Sequence, residues 1–134
     1  MLLRTHILFS FIIGLFIFNK PILFGFLFIA TIMPDLDMQI PFVKHRGFFH
    51  SILVGFLLSL VFVPYSMMVG LAFFIGFCSH LLADSFTVSG VTPFWPFSRY
   101  KTDFGLITTG KFSEEIFSFA LLFILAMKLL SIVL

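Results

Sequence analysis

The chain of 134 residues is 60% hydrophobic and only 10% charged, and its mean hydropathy is +1.19. Soluble domains carry roughly 25% charged residues, so this composition excludes a water-soluble globular domain and indicates an integral membrane protein. The net charge of +2 is too small for a nucleic-acid-binding surface. We therefore expect membrane lipid around the chain and no nucleic-acid partner.

Length and cysteine content set two further bounds. At 134 residues, the chain is expected to form a single domain over residues 1–134. Its one cysteine, Cys78, excludes an intramolecular disulfide and a cysteine-based zinc cluster.

Apolar stretches predict five helices. A spanning helix needs about 20 apolar residues, so the first two are short. The sequence around Pro21 separates those two, Pro64 ends the third, and residues 87–110 form one long loop. The prediction is an all-α integral membrane helical bundle with about five transmembrane helices. Its segments are about Leu2–Phe18, Pro21–Met33, Gly47–Val63, Tyr65–Phe86 and Lys111–Leu134.

The first segment resembles a signal peptide in one respect, since Arg4 precedes an apolar stretch. No small-residue cleavage site precedes Lys20, which argues against removal. We expect a retained helix.

Five spans place the N-terminus, the 34–46 loop and the 87–110 loop on one side of the membrane. Basic residues are concentrated on that side, which the positive-inside rule assigns to the cytoplasm. We therefore expect a multi-pass protein of the inner or plasma membrane with a cytoplasmic N-terminus. The basic residues on the predicted cytoplasmic side are Arg4, Lys44, Arg46, Arg99, Lys101 and Lys111, and those on the other side are Lys20 and Lys128.

Ionisable side chains gather at the same predicted membrane face. All four histidines and five of the six acidic residues lie there, at helix ends, whereas Asp103 lies in the loop. Ionisable residues within spanning segments are costly and usually mark a function. His80 lies roughly 9 Å inside its predicted helix, and Asp84 shares its face at i+4. The converging residues are His6, Asp35, Asp37, His45, His50, His80, Asp84, Glu114 and Glu115.

These donors suit a metal centre. Asp35 and Asp37 follow a helix C-terminus, where the dipole disfavours anions, so they require a nearby cation. The donors exceed the three or four protein ligands that one zinc ion takes, so one or two ions are feasible. Nitrogen and oxygen donors without thiolate suit Zn, Mn or Fe.

Simpler interpretations exist for each residue. His6 alone is typical of a membrane interface, and Asp35 with Asp37 of a turn. Glu114 suits the first turn of a helix, and His80 with Asp84 would form a buried pair. The joint placement at one membrane face favours a common site.

Ordered motifs carry a family resemblance. They are PDLD at 34–37, HRGFFHS at 45–51 and GFCSHLLAD at 76–84, with Gly90-Val91, Trp95-Pro96 and Gly110 before Glu114. With these motifs the chain resembles the YdjM family of membrane-bound metal-dependent hydrolases. It departs at Phe49, where the family usually has Thr, which removes a hydroxyl and leaves the ligands intact.

The resemblance implies a divalent metal, with zinc foremost and Mn or Fe as alternatives. Arg46 would hold an anionic substrate group, because guanidinium binds phosphate bidentately; contact with lipid headgroups is its alternative role. The implied catalytic residues are Asp37, Glu114 and Arg46. The implied metal ligands are His6, Asp35, Asp37, His45, His50, His80 and Asp84.

The leading functional hypothesis is a hydrolase that acts at the cytoplasmic face on an ester or phosphoester of a lipid-like substrate through a metal-activated water. One alternative is a metal or proton transporter, although the predicted helix centres carry no ionisable residue. The other is a non-catalytic protein with a structural metal site. The oligomeric state stays open.

Overall fold

A computed structural model describes residues 1–39 and 47–134 and contains five α-helices within those ranges. They are α1 (Leu3–Ile17), α2 (Pro21–Ile32), α3 (Ile52–Leu60), α4 (Met67–Ser85) and α5 (Phe112–Val133). Two 3₁₀ helices, Met33–Gln39 and Phe48–His50, lie between α2 and α3. The described residues form no strand, so the prediction of an all-α fold with five helices is confirmed.

The lengths of the described helices do not support about five spans. Among the helices of residues 1–39 and 47–134, only α4 and α5 are long and apolar enough to cross a membrane by length and composition. Helix α3 has nine residues and reaches about 14 Å at 1.5 Å per residue, against a hydrocarbon thickness of about 30 Å. It is short because the chain forms a 3₁₀ turn before Ile52 and leaves the helix after Leu60, ahead of Pro64.

Local signals explain where α2 and α3 begin. Pro21 occupies the first position of α2, where its missing N–H costs nothing. The hydroxyl of Ser51 accepts a hydrogen bond from the backbone N–H of Val54 at 3.3 Å and caps α3. His50 lies immediately before this cap.

Helix α4 lies at the centre of the bundle and packs against α1, α2 and α3. At Gly76, a Cβ atom would lie 2.3 Å from the carbonyl oxygen of Leu27. Glycine therefore allows the backbones of α2 and α4 to approach closely. Helix α5 packs along α1 on the outside of the bundle, with only 6% of its candidate span buried.

Three buried hydroxyl groups join α1, α2 and α4. Ser10 Oγ lies 2.6 Å from Thr31 Oγ1 and 2.8 Å from Ser79 Oγ. Thr31 Oγ1 also donates to the carbonyl oxygen of Leu27 at 2.8 Å. Hydrogen bonds among small polar residues are a typical means of holding apolar helices together, and these fix the three helices beside His80.

The segment between α4 and α5 is irregular but ordered by backbone hydrogen bonds. Val91 and Thr102 exchange two such bonds, at 3.0 and 2.8 Å, and Val88 donates to Ile107 at 3.0 Å. The N–H of Ile52 donates to the carbonyl oxygen of Pro93 at 2.9 Å. The segment is therefore attached to the start of α3.

Candidate metal centre

Four elements meet at one end of the bundle: the start of α1, the 3₁₀ helix after α2, the residue before the α3 cap, and the end of α4. They bring six of the predicted site residues into contact. Five of these side chains are at most 1% exposed, whereas Asp35 is 17% exposed. The six are His6, Asp35, Asp37, His50, His80 and Asp84.

His80 lies in the middle of this cluster. Its Nε2 atom is 3.5 Å from Asp35 Oδ1 and 3.7 Å from Asp84 Oδ2. Its ring stacks on that of His6 and meets that of His50 edge to face, with centroids 3.9 and 5.3 Å away. Every other histidine and carboxylate of the cluster except Asp37 thus lies around this one imidazole.

A backbone contact determines the orientation of the His80 ring. Its Nδ1 lies 2.7 Å from the carbonyl oxygen of Thr31. A carbonyl only accepts, so Nδ1 carries the hydrogen and Nε2 points toward the carboxylates. Within the described residues, Nε2 makes no hydrogen bond of normal geometry. Metal-binding histidines characteristically donate their second ring nitrogen to a carbonyl or carboxylate in this way.

His50 has carboxylates on both sides of its ring. Its Nε2 lies 3.6 Å from Asp35 Oδ1 and 3.8 Å from Asp84 Oδ2. On the opposite edge, Nδ1 lies 3.1 Å from Asp37 Oδ2. Asp37 therefore supports the ring from behind, while Nε2 faces the same space as Nε2 of His80.

Asp84 links α4 to the start of α1. Its Oδ1 atom accepts from the Met1 amino group at 3.0 Å and lies 3.3 Å from His6 Nε2. Its Oδ2 atom is directed to His50 and His80. One carboxylate thus contacts three imidazoles.

The donor set fits a divalent cation. Two overlapping groups, His6 with Asp35 and His80, and His50 with His80 and Asp84, each hold their ligand atoms within 4.8 Å of one another. Three or four nitrogen and oxygen donors are the usual complement for such an ion. Among the described residues, His6 Nε2 has the 3.3 Å contact with Asp84 Oδ1, whereas Nδ1 is buried without a hydrogen-bond partner. Buried polar atoms are rarely left so unless something binds them.

Electrostatics at Asp35 also suit a cation. Partial burial raises the pKa of its carboxyl group, but the adjacent His50 and His80 rings lower it more strongly. The pKa therefore lies well below its usual range, and the group is ionised at neutral pH. Such a carboxylate binds a cation without first releasing a proton.

Glu114 lies apart from both candidate groups. Its Oε1 atom accepts from the Leu2 N–H at 2.7 Å and from the Thr5 hydroxyl at 2.9 Å, and Oε2 accepts from the Gly110 N–H at 2.7 Å. A carboxylate at a helix N-terminus complements the dipole, and α1 has no side-chain cap of its own. These contacts join the starts of α1 and α5; the catalytic role expected of Glu114 stays a prediction.

Two predicted site residues, His45 and Arg46, lie outside the described residues. Their roles as metal ligand and as anchor for an anionic group therefore stay predictions from the sequence.

The groups that support His80 are not among the residues predicted from the sequence. Thr31 supplies the carbonyl oxygen, and its hydroxyl is held by Ser10, which also contacts Ser79. The sequence does contain a signal for them. Three apolar stretches each hold one of these hydroxyl residues, and Ser79 is next to His80. The role of a backbone carbonyl leaves no trace in residue identity.

A family model agrees with the motifs. The model for the YdjM inner membrane protein matches residues 1–134, which is the whole chain. No curated protein and no solved structure matches the chain significantly. The resemblance indicated by the motifs is therefore confirmed at the level of the family.

Proposed function

The chain belongs to the YdjM inner membrane protein family, and on that premise we propose that it is an integral membrane metal-dependent hydrolase. The observation that carries the proposal is the convergence of two further imidazoles and two carboxylates around the His80 imidazole at one end of an apolar bundle. The helices α1 to α3, although short, belong to the membrane-embedded bundle in this proposal. The cluster end faces the cytoplasm, as the distribution of Lys and Arg favours.

Zinc is the ion we propose, in one or two copies. Histidine and carboxylate ligands without thiolate suit Zn, and also Mn or Fe. His80 belongs to both candidate groups, so the two groups share a ligand. In the described part of the cluster, His6, Asp35, His50, His80 and Asp84 would hold the metal.

A bound divalent ion would supply Lewis acidity, lowering the pKa of a water and polarising the scissile group. The chain's own residues prepare this site. The Thr31 carbonyl holds His80, and Asp37 holds His50 from behind. Asp35, the most exposed carboxylate of the cluster at 17%, faces the side from which a substrate would arrive. Burial of the other groups keeps bulk water away from them.

A lipid-like ester or phosphoester is the proposed substrate class. The cluster lies at helix ends, which the proposed membrane-embedded bundle would place near the lipid headgroups, so a lipid would reach it by lateral diffusion. Arg46 is proposed to hold an anionic group of that substrate, because guanidinium binds phosphate bidentately.

The test combines metal analysis with an activity assay. The detergent-purified protein is analysed for bound metal and then assayed for hydrolysis of phospholipid and neutral lipid esters, before and after chelation. We expect stoichiometric metal and turnover that chelation abolishes and zinc restores. Full activity after complete metal removal, or in His80→Ala, would contradict the mechanism.

A structural metal site is the second candidate. It is favoured by the origin of the donors, which come from α1, α4 and the two 3₁₀ helices. A metal there would hold these elements together without catalysis. It predicts that chelation lowers the melting temperature while the intact protein turns over none of the lipid substrates.

A further inference from the structure

The outer face of α1 carries a charged residue between two apolar grooves. His6 and Ser10 are buried, whereas Arg4 is exposed and Leu8 half-buried. Arg4 and Leu8 line both grooves, so together they form the ridge between them. One groove, of about 250 Å³, lies between α1 and α5, and the other, of about 370 Å³, between α1 and α2. Their further lining residues are Ser118, Phe119 and Leu122, and Ile7, Phe11 and Phe28, respectively.

Arg4 is paired at this ridge with Glu115 of α5. The side chains are 62% and 43% exposed, in contrast to the buried groups of the metal centre. A cation and an anion are thus accessible side by side, next to apolar grooves that extend along the helices.

We propose that this face binds one glycerophospholipid whose zwitterionic headgroup carries a primary ammonium. Its phosphate would contact the Arg4 guanidinium, which binds phosphate through paired hydrogen bonds. Its ammonium would donate to the Glu115 carboxylate. One acyl chain would occupy each groove, with Leu8 between them. The site lies outside the proposed metal centre and is independent of the hydrolase proposal.

The headgroup preference follows from the two charges. A quaternary ammonium has no N–H to donate to Glu115, so a choline lipid loses one hydrogen bond. An anionic glycerol headgroup has no positive charge and meets a carboxylate. The ethanolamine lipid is the only one of these three that matches both side chains.

Native mass spectrometry tests the site. The detergent-purified protein is given an equimolar mixture of phosphatidylethanolamine, phosphatidylcholine and phosphatidylglycerol, and retained lipid is counted. We expect one retained lipid, with ethanolamine favoured about tenfold, the typical effect of a single charge-assisted hydrogen bond. Arg4→Gln should lower retention of all three lipids. Glu115→Gln should abolish the preference for ethanolamine while phosphate-dependent retention continues.

The matched control is Lys128→Gln, which removes a cation that lies over the Phe16 ring, 4.6 Å from its centroid. It should retain lipid as the unmodified protein does. Equal retention of the three headgroups, unchanged retention in Arg4→Gln, or replacement of the lipid by a second copy of the chain on this face would overturn the proposal. If Arg4→Gln reduces the melting temperature, the headgroup preference of the exposed Glu115→Gln variant still tests the proposal.

Discussion

The imidazole rings of His6 and His80 stack face to face, with centroids 3.9 Å apart and planes 11° from parallel. One ring belongs to α1 and the other to α4, and Asp84 contacts His6 through one oxygen and approaches His80 through the other. Part of the contact between these two helices is therefore made of potential metal ligands. Binding at the cluster and packing of the bundle are coupled as a result.

Replacing His80 by alanine should abolish metal binding. His80 belongs to both candidate groups. The affinity for metal should therefore fall by more than the 10–100-fold that is typical when a residue behind a ligand is changed. Titration calorimetry with Zn²⁺ measures it. Cys78→Ala, in the same helix, is the control and should bind normally. Wild-type affinity in His80→Ala would exclude the cluster as the metal centre.

Asp37→Asn should weaken metal binding without abolishing it. The Asp37 carboxylate lies 3.1 Å from His50 Nδ1, on the edge of the ring away from the cluster. Removal of its charge frees the ring to reorient, with an expected loss of about 10–100-fold in affinity. Asp35→Asn is the comparison. It changes a group that faces Nε2 of both His50 and His80, so its metal affinity should fall further. An equal or larger loss in Asp37→Asn would show that Asp37 coordinates the metal directly.

Gly76→Ala should destabilise the bundle. The new Cβ would lie 2.3 Å from the Leu27 carbonyl oxygen, so α2 and α4 would have to separate, at a cost of about 1–3 kcal/mol. Gly25→Ala is the matched control, because no described atom beyond the adjacent residues and the backbone of its own helix lies within 4 Å of its Cβ position. It should stabilise α2 by roughly 0.5–1 kcal/mol. Thermal unfolding in detergent measures both, and equal melting temperatures would refute the close approach.

Glu114→Ala should lower stability while metal binding is retained. The variant leaves the N–H groups of Leu2 and Gly110 without their acceptor, at a cost of roughly 1–3 kcal/mol. Unfolding and metal content are measured on the same preparation. A protein that melts normally, binds metal and has lost turnover would instead support the catalytic role that the sequence suggests for Glu114.

The order of the helices and the convergence of their polar ends could be predicted from sequence, because apolar runs and prolines define segments directly. Four of the five predicted segments begin and end within two residues of the observed helices, whereas the third, predicted over Gly47–Val63, is shorter and covers Ile52–Leu60. Phe48 and Phe49 continue the apolar stretch, so residue type alone does not separate the 3₁₀ turn Phe48–His50 from the helix that follows the Ser51 cap.

Within the site, residue type identified the candidate ligands, but not which of them face the centre of the cluster and which lie behind another ligand. Asp35 and Asp37 look alike in sequence, yet one faces the Nε2 atoms of His50 and His80 and the other lies behind His50. A single residue, Leu36, separates them, and all three belong to the 3₁₀ helix Met33–Gln39. Such a division depends on backbone path, which a short polar motif does not encode.

The nine residues of α3 have a consequence for the surrounding lipid. In the proposed membrane-embedded bundle, this side of the protein presents an apolar height well below that of α5, which has 22 residues. Lipids compress around short hydrophobic segments at a modest elastic cost per ångström. The bilayer would therefore be thinner beside α3 than beside α5, and headgroups would approach the cluster end from that side.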